Sequence, residues 1–302
     1  VVNWTNLKAL THQDPLKALE RRNPKFYQRY ADKPTDRYGF DLKSYAMYEP
    51  YFRFLYEDYF NVEVRGLENI PGEGRGILVG NHSGTLPIDA GMISIAIANE
   101  HSSPRRVRYL VTDWFFQLPV LGPWMLTTGQ VRGTLDIAKH LLEEDELIGI
   151  YPEGVRGVGK VWRDRYRVID FHPGFVKLAI ATQTPLIPVA TVGGDEVFPM
   201  VASARKLAQF MRMPYFPVTI GFPWLPFPWP FIPLPIHWMI NIHKPINLGY
   251  PPEKSTDRKL VQKICKEIQY TIQRDLNTLF DERKTLFTGW EEQPTENKDG
   301  DV

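Results

Sequence analysis

The chain has 302 residues, 43% of them apolar and 24% charged, and a formal charge of +1. This length allows one large domain or two small ones with a sizeable core. The balanced charge argues against a protein built around a basic field for nucleic acid, and the single Cys265 excludes a disulfide framework or a cysteine zinc site. The first 60 residues, Val1 to Phe60, are charged and aromatic-rich and read as N-terminal amphipathic helices. Val1 to Ala31 has no apolar run with a cleavage site, so no secretory leader is expected in it. Leu42 to Phe60 carries Tyr45, Tyr48, Phe52, Leu55, Tyr56 and Tyr59 largely at helical spacing, as a core-packing helix or one that faces a membrane. Pro50 predicts a kink or break in it.

From Asn61 onward strands and helices alternate. Strands are expected at Val62 to Val64, Ile77 to Gly80, Val107 to Thr112, Leu147 to Tyr151, Pro185 to Val192 and Trp238 to Ile242. Helices are expected at Ala90 to Ala98 behind Asp89, at Thr134 to Glu144 opened by Thr134, and at Gly174 to Thr182. Such alternation implies an α/β fold: a mostly parallel central sheet flanked by helices, with the N-terminal amphipathic helices and a long C-terminal helix added. That last helix is Ser255 to Lys284, with Leu260, Ile264, Ile268, Ile272, Leu276 and Leu279 on one stripe and Cys265 on its apolar side. The tail from Gln293 to Val302 is polar and expected to be disordered. The chain therefore divides into residues 1–60, 61–250 and 251–302.

One segment is unusual. Met213 to His243 contains no Lys, Arg, Asp or Glu, and holds eight prolines between Pro214 and Pro235 among Phe222, Trp224, Phe227, Trp229 and Phe231. Proline rules out a regular helix, and irregular backbone cannot face lipid hydrocarbon. The segment suits the aromatic zone of a membrane interface; a buried loop or a partner-binding surface is the alternative.

Three stretches carry candidate chemistry. In Asn81-His82-Ser83-Gly84-Thr85-Leu86-Pro87-Ile88-Asp89, a histidine leaves a buried strand and a carboxylate starts the next helix, where open α/β sheets place their sites. His82 and Asp89 would form a base and its orienting partner for a hydroxyl nucleophile, although a loop hydrogen bond is the ordinary meaning of such a pair. Ser83 and Thr85 could assist. Tyr151-Pro152-Glu153-Gly154-Val155-Arg156 also follows a strand, and Arg156 suits a phosphate. A second arginine, Arg132, sits in the glycine-flanked loop Gly129-Gln130-Val131-Arg132-Gly133.

These blocks, followed by Ile187-Pro188-Val189, resemble in order and spacing the glycerolipid acyltransferase family, whose best-known members acylate lysophosphatidic acid. The resemblance covers roughly Asn61 to Pro245, which makes residues 61–250 the acyltransferase domain. It departs from the family in two places. Six residues separate His82 from Asp89 where the family has four, and Tyr151 stands where Phe is common. The resemblance implies His82 and Asp89 as catalytic residues and Arg132, Glu153, Gly154 and Arg156 as substrate-binding residues. It further implies an acyl-CoA or acyl carrier protein donor, a lysophospholipid acceptor, and neither cofactor nor metal. Peripheral membrane association on the cytoplasmic face follows. Another lysophospholipid, a neutral alcohol, or a non-catalytic lipid-binding role remain as alternatives. A serine lipid hydrolase lacks its Gly-x-Ser-x-Gly turn here.

Several signals point elsewhere. Gly154 to Lys160 nearly matches a P-loop, but Val161 stands where magnesium binding needs Ser or Thr. Arg105, Arg106 and Arg108, like Arg163, Arg165 and Arg167, read as solvated surface, with headgroup or CoA-phosphate contact as the sharper alternative. His237 and His243 flank a strand, and the sequons at Asn3 and Asn81 are discounted.

Overall fold

The computed structural model describes residues 14–287 except 85, 120, 212 and 214. Thr85, the sequon at Asn3 and the C-terminal tail lie outside the described residues. Nine strands are seen among them: β1 Glu63–Arg65, β2 Gly76–Gly80, β3 Arg108–Val111, β4 Val131–Arg132, β5 Leu147–Ile150, β6 Leu186–Val192, β7 Met200–Ser203, β8 Pro217–Thr219 and β9 Met239–Ile242. Seven form one sheet in the order β1-β9-β6-β2-β5-β3-β4. The five strands from β6 to β4 are parallel, and β9 runs antiparallel to β6. Every residue of β2 and β6 is buried, as expected of central strands covered on both faces. The mostly parallel α/β sheet expected from the alternation is present.

The principal helices are α1 Pro15–Arg22, α2 Pro24–Ala31, α3 Leu42–Phe54, α4 Ile88–Asn99, α5 Leu121–Thr127, α6 Leu135–Glu143, α7 Gly174–Thr182 and α8 Arg258–Glu282. On one face of the sheet α6, α7 and α8 bury Leu141, Val176, Ile268 and Ile272 against Ile77 and Ile148. On the other face α4 buries Met92, Ile93 and Ile97 against Leu78 and Val189. The N-terminal helices form a third cluster through Leu19, Phe26, Phe40 and Leu42. Local signals set the helix starts. Thr134 accepts from Ile137 N at α6, and Asp257 from Leu260 N at α8, which follows a short 3-10 turn over Pro252–Thr256. Cys265 is buried along α8, as its position on the stripe required.

Two expectations need correction. Pro50 neither breaks nor ends α3; the α-helix runs through it to Phe54 and continues as a π-helical turn, Leu55–Tyr59. Leu42, Ala46, Pro50 and Phe54 are buried at intervals of four, so packing along this stripe outweighs the one hydrogen bond proline forfeits. Arg105, Arg106 and Arg108 are not solvated surface. Arg105 donates to Pro71 O, Gly74 O and Asp145 O, while Arg108 donates to Gly129 O and pairs with Asp36. Arg106 pairs with Asp36 (3.2 Å) and Glu146.

Candidate active site

The parallel strands end along one edge of the sheet, and the chain leaves β2 there. Asn81 continues the β2–β6 ladder with its side chain: its Nδ2 donates to Thr191 O (3.0 Å) and its Oδ1 accepts from Thr191 N (2.9 Å). This fixes the residue before His82, and it buries Asn81 completely. Gly84 then turns at φ +88°, where a Cβ would lie 2.4 Å from Gly194 O, so glycine is required. The loop closes on α4, whose first turn carries Asp89.

His82 Nδ1 donates to Asp89 Oδ2 at 2.8 Å. The same carboxylate accepts from Ser83 N (3.0 Å) and Ala90 N (2.9 Å), and it is fully buried. The six-residue spacing therefore still brings His82 and Asp89 together. With Nδ1 held, Nε2 is the ring nitrogen left to the cavity that His82 lines. Tyr151 stacks on the imidazole at 4.2 Å and 8°, and Tyr109 stacks behind Tyr151 at 5.3 Å. Burial pushes both phenols well above the usual tyrosine range, so they stay neutral.

Glu153 takes a position that its motif did not reveal. Its carboxylate is buried and accepts from His82 N (2.9 Å) and Ile169 N (2.8 Å). Asp195, just past β6, does the same for Gly84 N (2.8 Å) and Tyr166 N (2.9 Å). Lys160 lies between them, its Nζ 3.6 Å from Glu153 and 3.8 Å from Asp195, with its side chain 2% exposed. Burial raises the Glu153 carboxyl above its usual range, against the pull of Lys160 and the two amides. The lysine of the P-loop look-alike is thus the counter-charge of two carboxylates that grip the loop bearing His82 on either side of Ser83.

The two arginines stand apart from this pair. Arg132 ends β4, three strands from β2 on the same sheet edge; its side chain is 59% exposed and lies 3.9 Å from Asp113. Arg156 is exposed and donates to Asp170 O (3.1 Å). Neither lines the cavity at His82, whereas Gly154 and Val155 do. That cavity is mostly apolar and follows α4, where Ala90, Gly91, Ser94, Ile95 and Ala98 form one lining stripe. Phe52 from α3 and Trp124 from α5 close its side, stacked at 5.6 Å.

A family model described as acyltransferase matches residues 61–192, the span that holds His82, Asp89, Arg132 and Glu153. An uncharacterized protein of Mycobacterium leprae is 36% identical over 293 residues, covering 94% of this chain and 80% of that one. The chain belongs to the acyltransferase family. The family resemblance read from the motif order holds. An uncharacterized protein of Mycobacterium tuberculosis is 37% identical over 261 residues, 85% of this chain and 73% of its own length. A bovine protein named DGAT1/2-independent enzyme synthesizing storage lipids is 27% identical over 165 residues, about half of each chain. The crystal structure of the 1-acyl-sn-glycerophosphate acyltransferase PlsC from Thermotoga maritima shares the fold. Its TM-score is 0.52 at 17% identity, covering 91% of this chain and 97% of that one. Among the residues of this acyltransferase that its sequence did not flag, Asp195 had the clearest signal, a Gly-Gly-Asp turn at the C-terminal end of a central strand.

Proposed function

We propose that this acyltransferase moves a fatty acyl group from acyl-CoA or acyl carrier protein to the hydroxyl of a lysophosphatidic acid-like acceptor at a membrane surface. His82 Nε2 takes the hydroxyl proton as the oxygen attacks the thioester carbonyl, and Asp89 stabilises the imidazolium that forms. Collapse of the tetrahedral adduct breaks the C–S bond. The imidazolium returns its proton to the thiolate, leaving an ester and a free thiol. No covalent acyl-enzyme is required. Glu153 positions His82 through its backbone amide. The observation that carries this reading is the His82–Asp89 pair beside a mostly apolar cavity that His82 itself lines. The experiment is thiol release from acyl-CoA by the purified protein with lysophosphatidic acid present and absent. Acceptor-dependent release is expected; release at the same rate without acceptor would make the protein a thioesterase instead.

The reacting carbonyl belongs to the donor, so the donor chain is the one that starts at His82 and can run along α4. Pro87 to Ala98 spans about 16 Å at a helical rise of 1.5 Å per residue. An extended chain advances about 1.2 Å per bond, which gives room for about 13 carbons. Ser94→Phe would close the stripe about 6 Å earlier, shortening the preferred donor by about 5 carbons. A series of acyl-CoA lengths assayed with both proteins checks this; an unchanged preference would place the donor chain elsewhere.

A neutral alcohol acceptor is the second reading. It is favoured by the engagement of Arg132 with Asp113 and of Arg156 with Asp170, and by the storage-lipid enzyme among the relatives. Arg132→Ala and Arg156→Ala separate the two. With a phosphate-bearing acceptor each raises KM by at least about tenfold, as expected for loss of a charge-assisted contact. With monoacylglycerol KM stays unchanged.

A further inference from the structure

Between the end of β6 and the start of β9 the chain makes a long excursion, and Val192 pairs with Met239. It therefore leaves and returns at the sheet edge that carries His82. The excursion is an ordered fold. β7 pairs with β8, Ile220 N donates to Pro199 O, and Leu234 N donates to Val197 O. Yet it presents apolar rings to solvent: Phe227 is 83% exposed, Trp224 69% and Trp229 62%. The rings of Phe222, Phe231 and Phe227 follow one another at 6.0 and 6.2 Å, so the surface is continuous.

Three features match this surface to lipid. Its exposed residues are mainly Trp, Phe, Leu and Ile in a segment without a charged side chain, the chemistry of the boundary between headgroups and acyl chains. Its prolines leave fewer backbone donors to go unsatisfied on leaving water. Beside it Tyr215 packs against Gly159, and the loop that follows Gly159 exposes Arg163, 3.7 Å from Asp164, a cation that suits anionic headgroups.

We infer that residues 220–232 form a wedge that seats in the interface of an anionic bilayer and turns the edge carrying His82 toward it. This rests on the lipid-acyltransferase reading of that site, and it names the surface through which the enzyme meets its lipid. The rings partition into the interface, and Arg163 on the neighbouring loop adds a preference for anionic lipid.

The test is cosedimentation with phosphatidylcholine vesicles containing phosphatidylglycerol. It uses the intact chain, a Phe227→Ser/Trp229→Ser variant and a Trp224→Ser variant, all changed at exposed positions. Each ring withdrawn from lipid is worth about tenfold in partition. The single variant should bind about tenfold more weakly and the double about 100-fold, with acyl transfer to a detergent-dispersed acceptor unchanged. Variants that sediment like the parent overturn the inference. So does a parent dimer in solution that the double substitution dissociates, because a second copy then covers the patch. Substitution-sensitive vesicle binding by a protein without acyl transfer would uphold the wedge and overturn the proposed function.

Discussion

Asp89→Asn should lower kcat for acyl transfer by about 10⁴, the scale of the same exchange in a histidine–aspartate catalytic pair, while KM for the donor changes little. The carboxylate accepts from His82 Nδ1 and Ser83 N and is fully shielded from solvent. Oδ2 takes both of these donors while Oδ1 takes Ala90 N, so an asparagine has one oxygen for the two positions. With its NH2 group toward His82, the imidazole must leave Nδ1 unprotonated and carry its proton on Nε2, which then cannot take the acceptor's proton. With its oxygen toward His82 the tautomer is kept, but no charge is left to stabilise the imidazolium. Since the fold keeps its packing, the thermal midpoint should move far less than the rate. A variant with near-normal kcat would show that Asp89 is only a structural cap of α4.

Lys160→Met should be the most destabilising single change near the site. Removing one member of a buried ionic group leaves the others uncompensated, at a cost of about 3–5 kcal/mol. Here it leaves two carboxylates, Glu153 and Asp195, in a site where Lys160 is their shared counter-charge. At about 2–4 °C per kcal/mol the midpoint falls by roughly 6–20 °C. Both carboxylates grip amides of the loop that bears His82, so kcat should drop as well. Combining Lys160→Met with Glu153→Gln should be less destabilising than the sum of the two, because the pair shares one interaction. Strict additivity in thermal melts would mean that Lys160 has no part in the clamp.

The sheet was legible because its strands are short apolar runs bounded by turn residues, and β2 and β6 are buried along their whole length. The His82–Asp89 pair was legible for a similar reason: one residue ends a strand and the other starts a helix, so the stretched loop has fixed anchors. Glu153 and Lys160 were not. A buried carboxylate that holds backbone amides has the same sequence appearance as one that binds substrate, and only the fold brings Ile169, Asp195 and Lys160 to it. The cavity was equally hidden. Its α4 stripe of Ala90, Gly91 and Ser94 reads as ordinary helix, and its closing wall of Phe52 and Trp124 comes from distant segments. Pro50 does not break α3 because propensity is local, whereas the packing of α3 is not.

In the proposed mechanism His82 is the residue on which the chemistry turns. The most direct measurement is parallel quantification of free thiol and of new ester formed from acyl-CoA and lysophosphatidic acid by the intact protein and by His82→Ala at equal concentration. The intact protein should form the two in equal amounts, and His82→Ala should slow both together by about 10²–10⁴. Ester formed by His82→Ala at the rate of the intact protein would contradict the account.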